Sequence, residues 1–193
     1  MGGLIAFEMA RQLTEQGERV ERLVLLDTAA PGYDPLAPGT SAALLAGFGR
    51  ELAGTAGRAL PLSVLDLAGA GEGEDGLREL FSRVQAAGEF PADMDFAAVF
   101  RFFEIYQRNY HALHSYRARR YPLSATLITA ADRTRGAGSD ETLGWRALTT
   151  GIEVHSVPGD HYSILKPPHV ERLAQQLAEC LAGVPEPVDG QSS

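Results

Sequence analysis

The chain has 193 residues, 45% of them hydrophobic, which suffices for one domain with a substantial core. Its 25 acidic residues outnumber 17 basic ones, and the formal net charge of −8 argues against a nucleic-acid binder, because a phosphate backbone is repelled by such a surface. No stretch approaches the ~18 consecutive apolar residues of a membrane span, no basic flank followed by an apolar run marks a signal peptide, and the single cysteine, Cys180, excludes an internal disulfide; the expectation is a cytoplasmic protein.

Residues 4–16 read as a helix, with Leu4, Ile5, Phe7, Met9, Ala10 and Leu13 on a broad apolar face and Gly17 where a helix stop belongs. Residues 22–27, Arg-Leu-Val-Leu-Leu-Asp, form a short aliphatic run that suits a parallel strand buried on both faces. Pro31, Gly32, Pro35, Pro38 and Gly39 then break the pattern. Residues 41–120 have helical apolar spacing without strands. Leu44, Leu45, Phe48 and Leu52 predict one helix, Leu77, Leu80, Phe81 and Val84 a second, and Phe96 to Tyr116 a long aromatic third. Between them, Gly69 to Gly76, with Glu72, Glu74 and Asp75, reads as a mobile loop.

Strand character returns at residues 124–130, followed by Ala131-Asp132, and again at residues 152–157. Pro158-Gly159-Asp160-His161 is a turn, and residues 168–182 form a last amphipathic helix through Val170, Leu173, Leu177 and Leu181. The tail from Pro185 is rich in Pro, Gly and Ser and is expected to be disordered. Strands alternating with helices define an α/β class with a parallel sheet. Three strands are few for such a sheet, and the first helix has no strand before it.

The opening Met1-Gly2-Gly3-Leu4 carries a second signal. In Gly-x-Ser-x-Gly, a serine sits on a tight turn between strand and helix, and the helix N-terminus favours an oxyanion. Gly2 fits the last glycine of that motif and Met1 the variable residue before it, so the serine falls one position ahead of Met1.

Gly2 to Ala10, followed by Leu23-Val24-Leu25-Leu26-Asp27, resembles the thioesterase domains of nonribosomal peptide and polyketide synthetases. Gly159-Asp160-His161-Tyr162-Ser163-Ile164-Leu165 is similar to their histidine loop, and Phe48 to Leu62, with Glu51-Leu52-Ala53-Gly54, to the start of their helical lid. The resemblance implies the C-terminal part of an α/β-hydrolase fold over residues 1–183, with an inserted lid at about 36–120 and a tail at 184–193. It implies Asp27 as triad acid, His161 as general base, and Gly2 and Gly3 in the nucleophile elbow. It further implies release of an acyl or peptidyl chain, by hydrolysis or cyclisation, from the phosphopantetheine of a carrier protein, with no dissociable cofactor. A stand-alone editing thioesterase is the alternative within the class. A truncated remnant, inactive without its serine and with an open apolar edge at residues 22–27, is the alternative outside it.

Plainer readings stand beside these. Asp27 also reads as a loop-starting cap. Asp132, ending the next strand, is the alternative acid, and Asp160 suits a turn-shaping role. His111 and His114 are three apart with no acidic or Cys partner at ligand spacing, so they read as packing residues and not as a metal pair. His155 and His169 read as structural, Trp145 and Cys180 as core, and Arg117, Arg119 and Arg120 as a solvated helix end. Phe100, Phe103, Tyr106 and Tyr110 form an aromatic stripe that fits either helix packing or the lining of an acyl channel.

Overall fold

The computed structural model describes residues 1–33, 41–55, 60, 66, 71–88, 94–132 and 140–182. The predicted disordered tail lies outside these residues. The chain divides into two compact units, Met1–Tyr33 with Ala118–Ser193, and Asp34–Arg117.

The first unit opens with α1 (Gly2–Glu15), which buries Leu4, Phe7 and Ala10. Arg11 pairs with Glu8 and Glu15 along its surface. The helix ends where Gly17, at φ +88, lets the chain turn back. The Gly17 N–H then donates to the Thr14 carbonyl at 3.0 Å and the Glu18 N–H to that of Leu13 at 2.9 Å. This pair of bonds satisfies carbonyls that a helix end otherwise leaves open.

Three parallel strands follow, β1 (Val24–Leu26), β2 (Ser124–Ala130) and β3 (Gly151–Val157), in the order β1-β2-β3. Val24 pairs with Thr126 and Leu26 with Ile128, while Ser124 to Ala130 pair with Gly151 to Val157. Regular pairing in β1 is shorter than the 22–27 run suggested. The ladder nevertheless continues past its ends, through Thr126 N–H to the Leu23 carbonyl at 2.9 Å and Asp27 N–H to that of Ile128 at 2.7 Å. Backbone φ of +40 at Asp27 then takes the chain out of the sheet.

β2 is buried on both faces, and its alternation divides the core. Ala125 and Leu127 pack with Leu25, Phe7, Ala10 and Trp145 on the α1 side. Ile128 and Ala130 pack with Val157, Ile164 and Leu173 on the side of α5 (His169–Ala182), where Cys180 is partly buried. Trp145 opens a single 3-10 turn, Trp145–Ala147, before β3.

The second unit contains α2 (Ser41–Thr55), α3 (Gly73–Ala86) and α4 (Phe96–Ser115). Leu45, Phe48, Leu77, Leu80, Val84, Val99 and Phe103 form its interior. The predicted loop at Gly69 to Gly76 is corrected over its last four residues, which open α3. Glu74 and Asp75 there sit in a first helical turn, where acidic residues meet the positive end of the helix dipole. Asp95 caps α4 by accepting the Ala98 N–H at 2.7 Å. No described helix is long and apolar enough to cross a membrane.

Among the described residues, α1 leaves an apolar stripe exposed. Ile5, Met9 and Leu13 lie one turn apart along α1 and are 52%, 57% and 42% exposed. β1, at the edge of the described sheet, exposes Leu26 nearby in sequence. An exposed apolar stripe and an exposed strand edge each favour association. The purified chain is therefore expected to bind a hydrophobic dye, and Ile5→Lys with Met9→Lys to weaken that binding several-fold without lowering the melting temperature. Dye fluorescence unaltered by the double substitution would place the sticky surface elsewhere.

Candidate active site

The C-terminal ends of the three strands lie along one edge, and two polar side chains from this edge meet. Asp27 follows β1, and its side chain is 2% exposed. One carboxylate oxygen, Oδ1, accepts the Ala130 N–H at the end of β2, at 3.0 Å. The other, Oδ2, lies 2.8 Å from Nδ1 of His161, which follows β3 and is 55% exposed. A carboxylate taken out of water needs such partners to offset the lost hydration. With the proton on Nδ1, the imidazole donates to Asp27 and keeps the electron pair of Nε2 for a base's work.

The turn before and after His161 is fixed by a second carboxylate. Asp160 Oδ1 accepts the backbone N–H groups of Tyr162 and Ser163, each at 2.8 Å, and the Ser163 hydroxyl accepts the Asp160 N–H at 2.9 Å. Gly159, at φ +101, lies so close to His169 and Ser163 that a Cβ would stand 2.9 Å from each. His169 is thus part of the packing around the turn, and the Tyr162 ring stands edge-on to His161 at 5.3 Å. The Ser163 N–H is the main cause that holds the Asp160 carboxyl below 3.8; burial opposes it, and the Tyr162 N–H, the Ser163 hydroxyl and the nearby imidazole reinforce it.

Gly2 and Gly3 differ. A Cβ on Gly2 would meet nothing within 4 Å, whereas one on Gly3 would stand 2.1 Å from Cγ2 of Thr28, the residue after Asp27. The start of α1 is therefore pressed against the loop that carries Asp27. Asp132 is exposed and donates its backbone N–H to the Gly159 carbonyl at 3.0 Å; the carboxylate on His161 is that of Asp27. Phe103 is buried in the interior of the second unit with Phe48 5.1 Å away, and Phe100 and Tyr106 pack against the same cluster. Tyr110 stacks on His114 at 3.9 Å. His155 pairs with Glu153 along β3. Among the described residues, no group of three or more His, Cys, Asp or Glu is placed to hold a metal ion. The contributions of the Ala130 N–H and of Thr28 escaped the sequence reading. A backbone donor has no side-chain signature, and Thr28 matters only because Gly3 lies against it.

The sequence matches the family described as "Thioesterase domain" over residues 1–181. It is 27% identical over 190 residues to the non-reducing polyketide synthase crz7 of Cladonia metacorallifera, covering 96% of this chain and 9% of that protein. It is 36% identical over 59 residues to the medium-chain S-acyl fatty acid synthase thioesterase of Rattus norvegicus, covering 28% of this chain and 22% of the relative. Among solved structures, the four-domain nonribosomal peptide synthetase AB3403 superposes with a TM-score of 0.73 at 28% identity, over 94% of this chain and 14% of that one. The Vlm2 thioesterase domain superposes with a TM-score of 0.53 at 20% identity, over 95% and 66%, a likeness of fold. The chain thus spans a small fraction of the synthases and about two thirds of a Vlm2 domain.

Two outcomes check this geometry. Gly3→Ala is expected to destabilise the fold by about 1–3 kcal/mol, the usual range for overpacking, while Gly2→Ala leaves the unfolding free energy nearly unchanged; equal effects would refute the close approach to Thr28. The Asp160 bonds favour its ionised form, so the stability they contribute is complete above the ordinary aspartate value and is lost as pH falls through the lower folded value. The Tyr162 and Ser163 amide resonances should accordingly titrate together with a midpoint lower than that of an exposed aspartate in an unfolded peptide, and a midpoint above that reference contradicts the bonding described.

Proposed function

The chain belongs to the thioesterase domain family, and from that premise we propose that Asp27 and His161 are the acid and base of a serine acyl-transfer site acting on a chain held as a thioester on the phosphopantetheine of a carrier protein. The observation that carries the reading is the 2.8 Å contact between a buried carboxylate and an exposed imidazole at the ends of parallel strands. Ligands of open α/β sheets bind along such an edge. The relatives add support, since they include a polyketide synthase, a fatty acid synthase thioesterase and a peptide synthetase.

In this reading the nucleophile is the hydroxyl of Gly-x-Ser-x-Gly, whose register sets the serine one position ahead of Met1. A hydroxyl attacks a carbonyl poorly until a base removes its proton. His161 Nε2 takes that proton as the seryl oxygen bonds to the thioester carbon. Asp27 holds the imidazole in the Nδ1–H tautomer and stabilises the imidazolium. The C–S bond then breaks, and His161 returns the proton to the departing phosphopantetheine thiolate. In the second half, His161 accepts a proton from water, or from a hydroxyl or amine of the bound chain. That oxygen or nitrogen attacks the acyl-serine, and the serine leaves with the proton. Gly3 lets the start of α1 approach the loop that carries Asp27, where a helix N-terminus favours the developing oxyanion. All of the protein's chemistry comes from side chains and backbone, with the substrate bringing its own pantetheine tether.

The test is turnover of an acyl-pantetheine thioester by this sequence joined at Met1 to a segment that ends in Gly-x-Ser. Asp27→Asn, which presents the wrong tautomer to the base, is expected to lower kcat by about 10⁴-fold, with His161→Ala at least as damaging and KM little changed. Activity that survives His161→Ala would remove the histidine from the reaction.

A further inference from the structure

The residue that pairs with His161 sits in an unfavourable backbone conformation. Asp27 has φ +40, a region that side-chain-bearing residues seldom occupy, and Leu143 is the other described non-glycine residue with positive φ, at +49. Such conformations persist where surrounding contacts over-determine them. The loop after Asp27 and the turn around Leu143 are tied to each other. The Ala30 N–H donates to the Leu143 carbonyl at 2.9 Å. The Trp145 indole N–H donates to the Thr28 carbonyl, in the residue next to Asp27, at 2.8 Å. The Asp140 N–H donates to the Tyr33 hydroxyl at 2.7 Å, and that hydroxyl donates to the Asp140 carbonyl at 3.3 Å.

The turn that makes these contacts is itself hydrogen-bonded through Asp140. The Asp140 carboxylate accepts the Thr142 hydroxyl at 2.6 Å and the N–H groups of Thr142 and Gly144 at 2.9 and 3.1 Å. Gly144, at φ +85, leaves room for the Tyr33 side chain, which would stand 2.6 Å from a Cβ there. Trp145 is fully buried, its ring centroid 5.2 Å from that of Phe7. Thr28 is thus held between Gly3 on α1 and the Trp145 N–H, and the loop 27–33 is pinned at Thr28, Ala30 and Tyr33.

We propose that the turn Asp140–Trp145, through the Trp145 indole N–H and the Tyr33 hydroxyl, is a positioning device that holds Asp27 in its left-handed conformation and so aims its carboxylate at His161. Trp145 bonds to the Thr28 carbonyl and Tyr33 to Asp140, so both act on Asp27 through the loop. The inference rests on the reading of Asp27 and His161 as the working pair for its functional meaning. Its structural content stands or falls without turnover. Release of either anchor lets Asp27 relax toward negative φ, and the carboxylate then leaves the imidazole. Neutral imidazole without a carboxylate acceptor favours the proton on Nε2, whereas the bond to Asp27 requires it on Nδ1.

The tautomer is therefore the measurement. The 193-residue chain, labelled with nitrogen-15 at its 5 histidines, is examined by long-range proton–nitrogen correlation at a pH where imidazole is neutral, with His161→Ala identifying the resonance. The expected results are Nδ1–H in the unsubstituted chain, Nε2–H in Asp27→Ala, and a shift toward Nε2–H in Trp145→Phe, which keeps an aromatic ring but loses the donor. Tyr33→Phe is expected to shift the same way and decides the matter if Trp145→Phe fails to fold. A cooperatively melting Trp145→Phe or, in its place, Tyr33→Phe that keeps the Nδ1–H signature overturns the proposal. An Asp27→Ala spectrum identical to that of the unsubstituted chain would refute the pairing with His161 itself, a separate failure.

Discussion

The contact between the Asp27 carboxylate and the His161 imidazole joins residues 134 positions apart, and no local preference of the chain holds either of them there. Asp27 directly follows a strand of three residues, and His161 lies on a turn after another strand. Both depend on β2, which hydrogen-bonds to each of those strands and sets their registers. Because the three strands run parallel, their C-terminal ends fall along one edge. Asp27, Ala130 and the turn leading to His161 are therefore neighbours because β2 sets the registers of both strands.

The burial of the acid gives that contact its character. An isolated carboxylate in a protein interior loses most of its hydration, and direct partners must make up for the loss. Asp27 draws one partner from a backbone N–H and one from a side chain that reaches into solvent. The buried end fixes the geometry, and the exposed end leaves the imidazole accessible. Among the described residues, every buried side-chain nitrogen or oxygen has a hydrogen-bond partner, so the polar site sits in the core without a deficit.

Around this pair the molecule uses tight backbone approach in place of extra side chains. Gly3 lets α1 meet Thr28, Gly144 admits Tyr33, and Gly159 lets the histidine turn pack against His169. Each glycine serves a different contact, yet all three surround the two segments that carry Asp27 and His161. The helical unit, Asp34–Arg117, forms its own apolar interior from α2, α3 and α4.

The sequence by itself determined the α/β class and the identity of the strands, and its resemblance to the thioesterase domains offered His161 with Asp27, or Asp132 in its place, as partners. Periodicity, the aliphatic runs at 22–27 and 124–130, and the Gly-Asp-His turn are local patterns that survive in one dimension. It also placed helices over Leu44 to Leu52, Leu77 to Val84 and Phe96 to Tyr116, where α2, α3 and α4 stand. It misjudged the residues that open α3, because a Gly- and acid-rich segment suits a loop and a first helical turn equally well. Choosing Asp27 over Asp132 as the carboxylate on His161 required the tertiary structure, since both end strands and only the register and the left-handed turn decide which one points at the imidazole. The Ala130 N–H, the Thr28 contact with Gly3 and the ties from Asp140 and Trp145 are likewise products of packing. They link residues far apart in the chain, and the forces that make them, hydrogen bonding in a dry interior and close steric fit, act only once the sheet has formed.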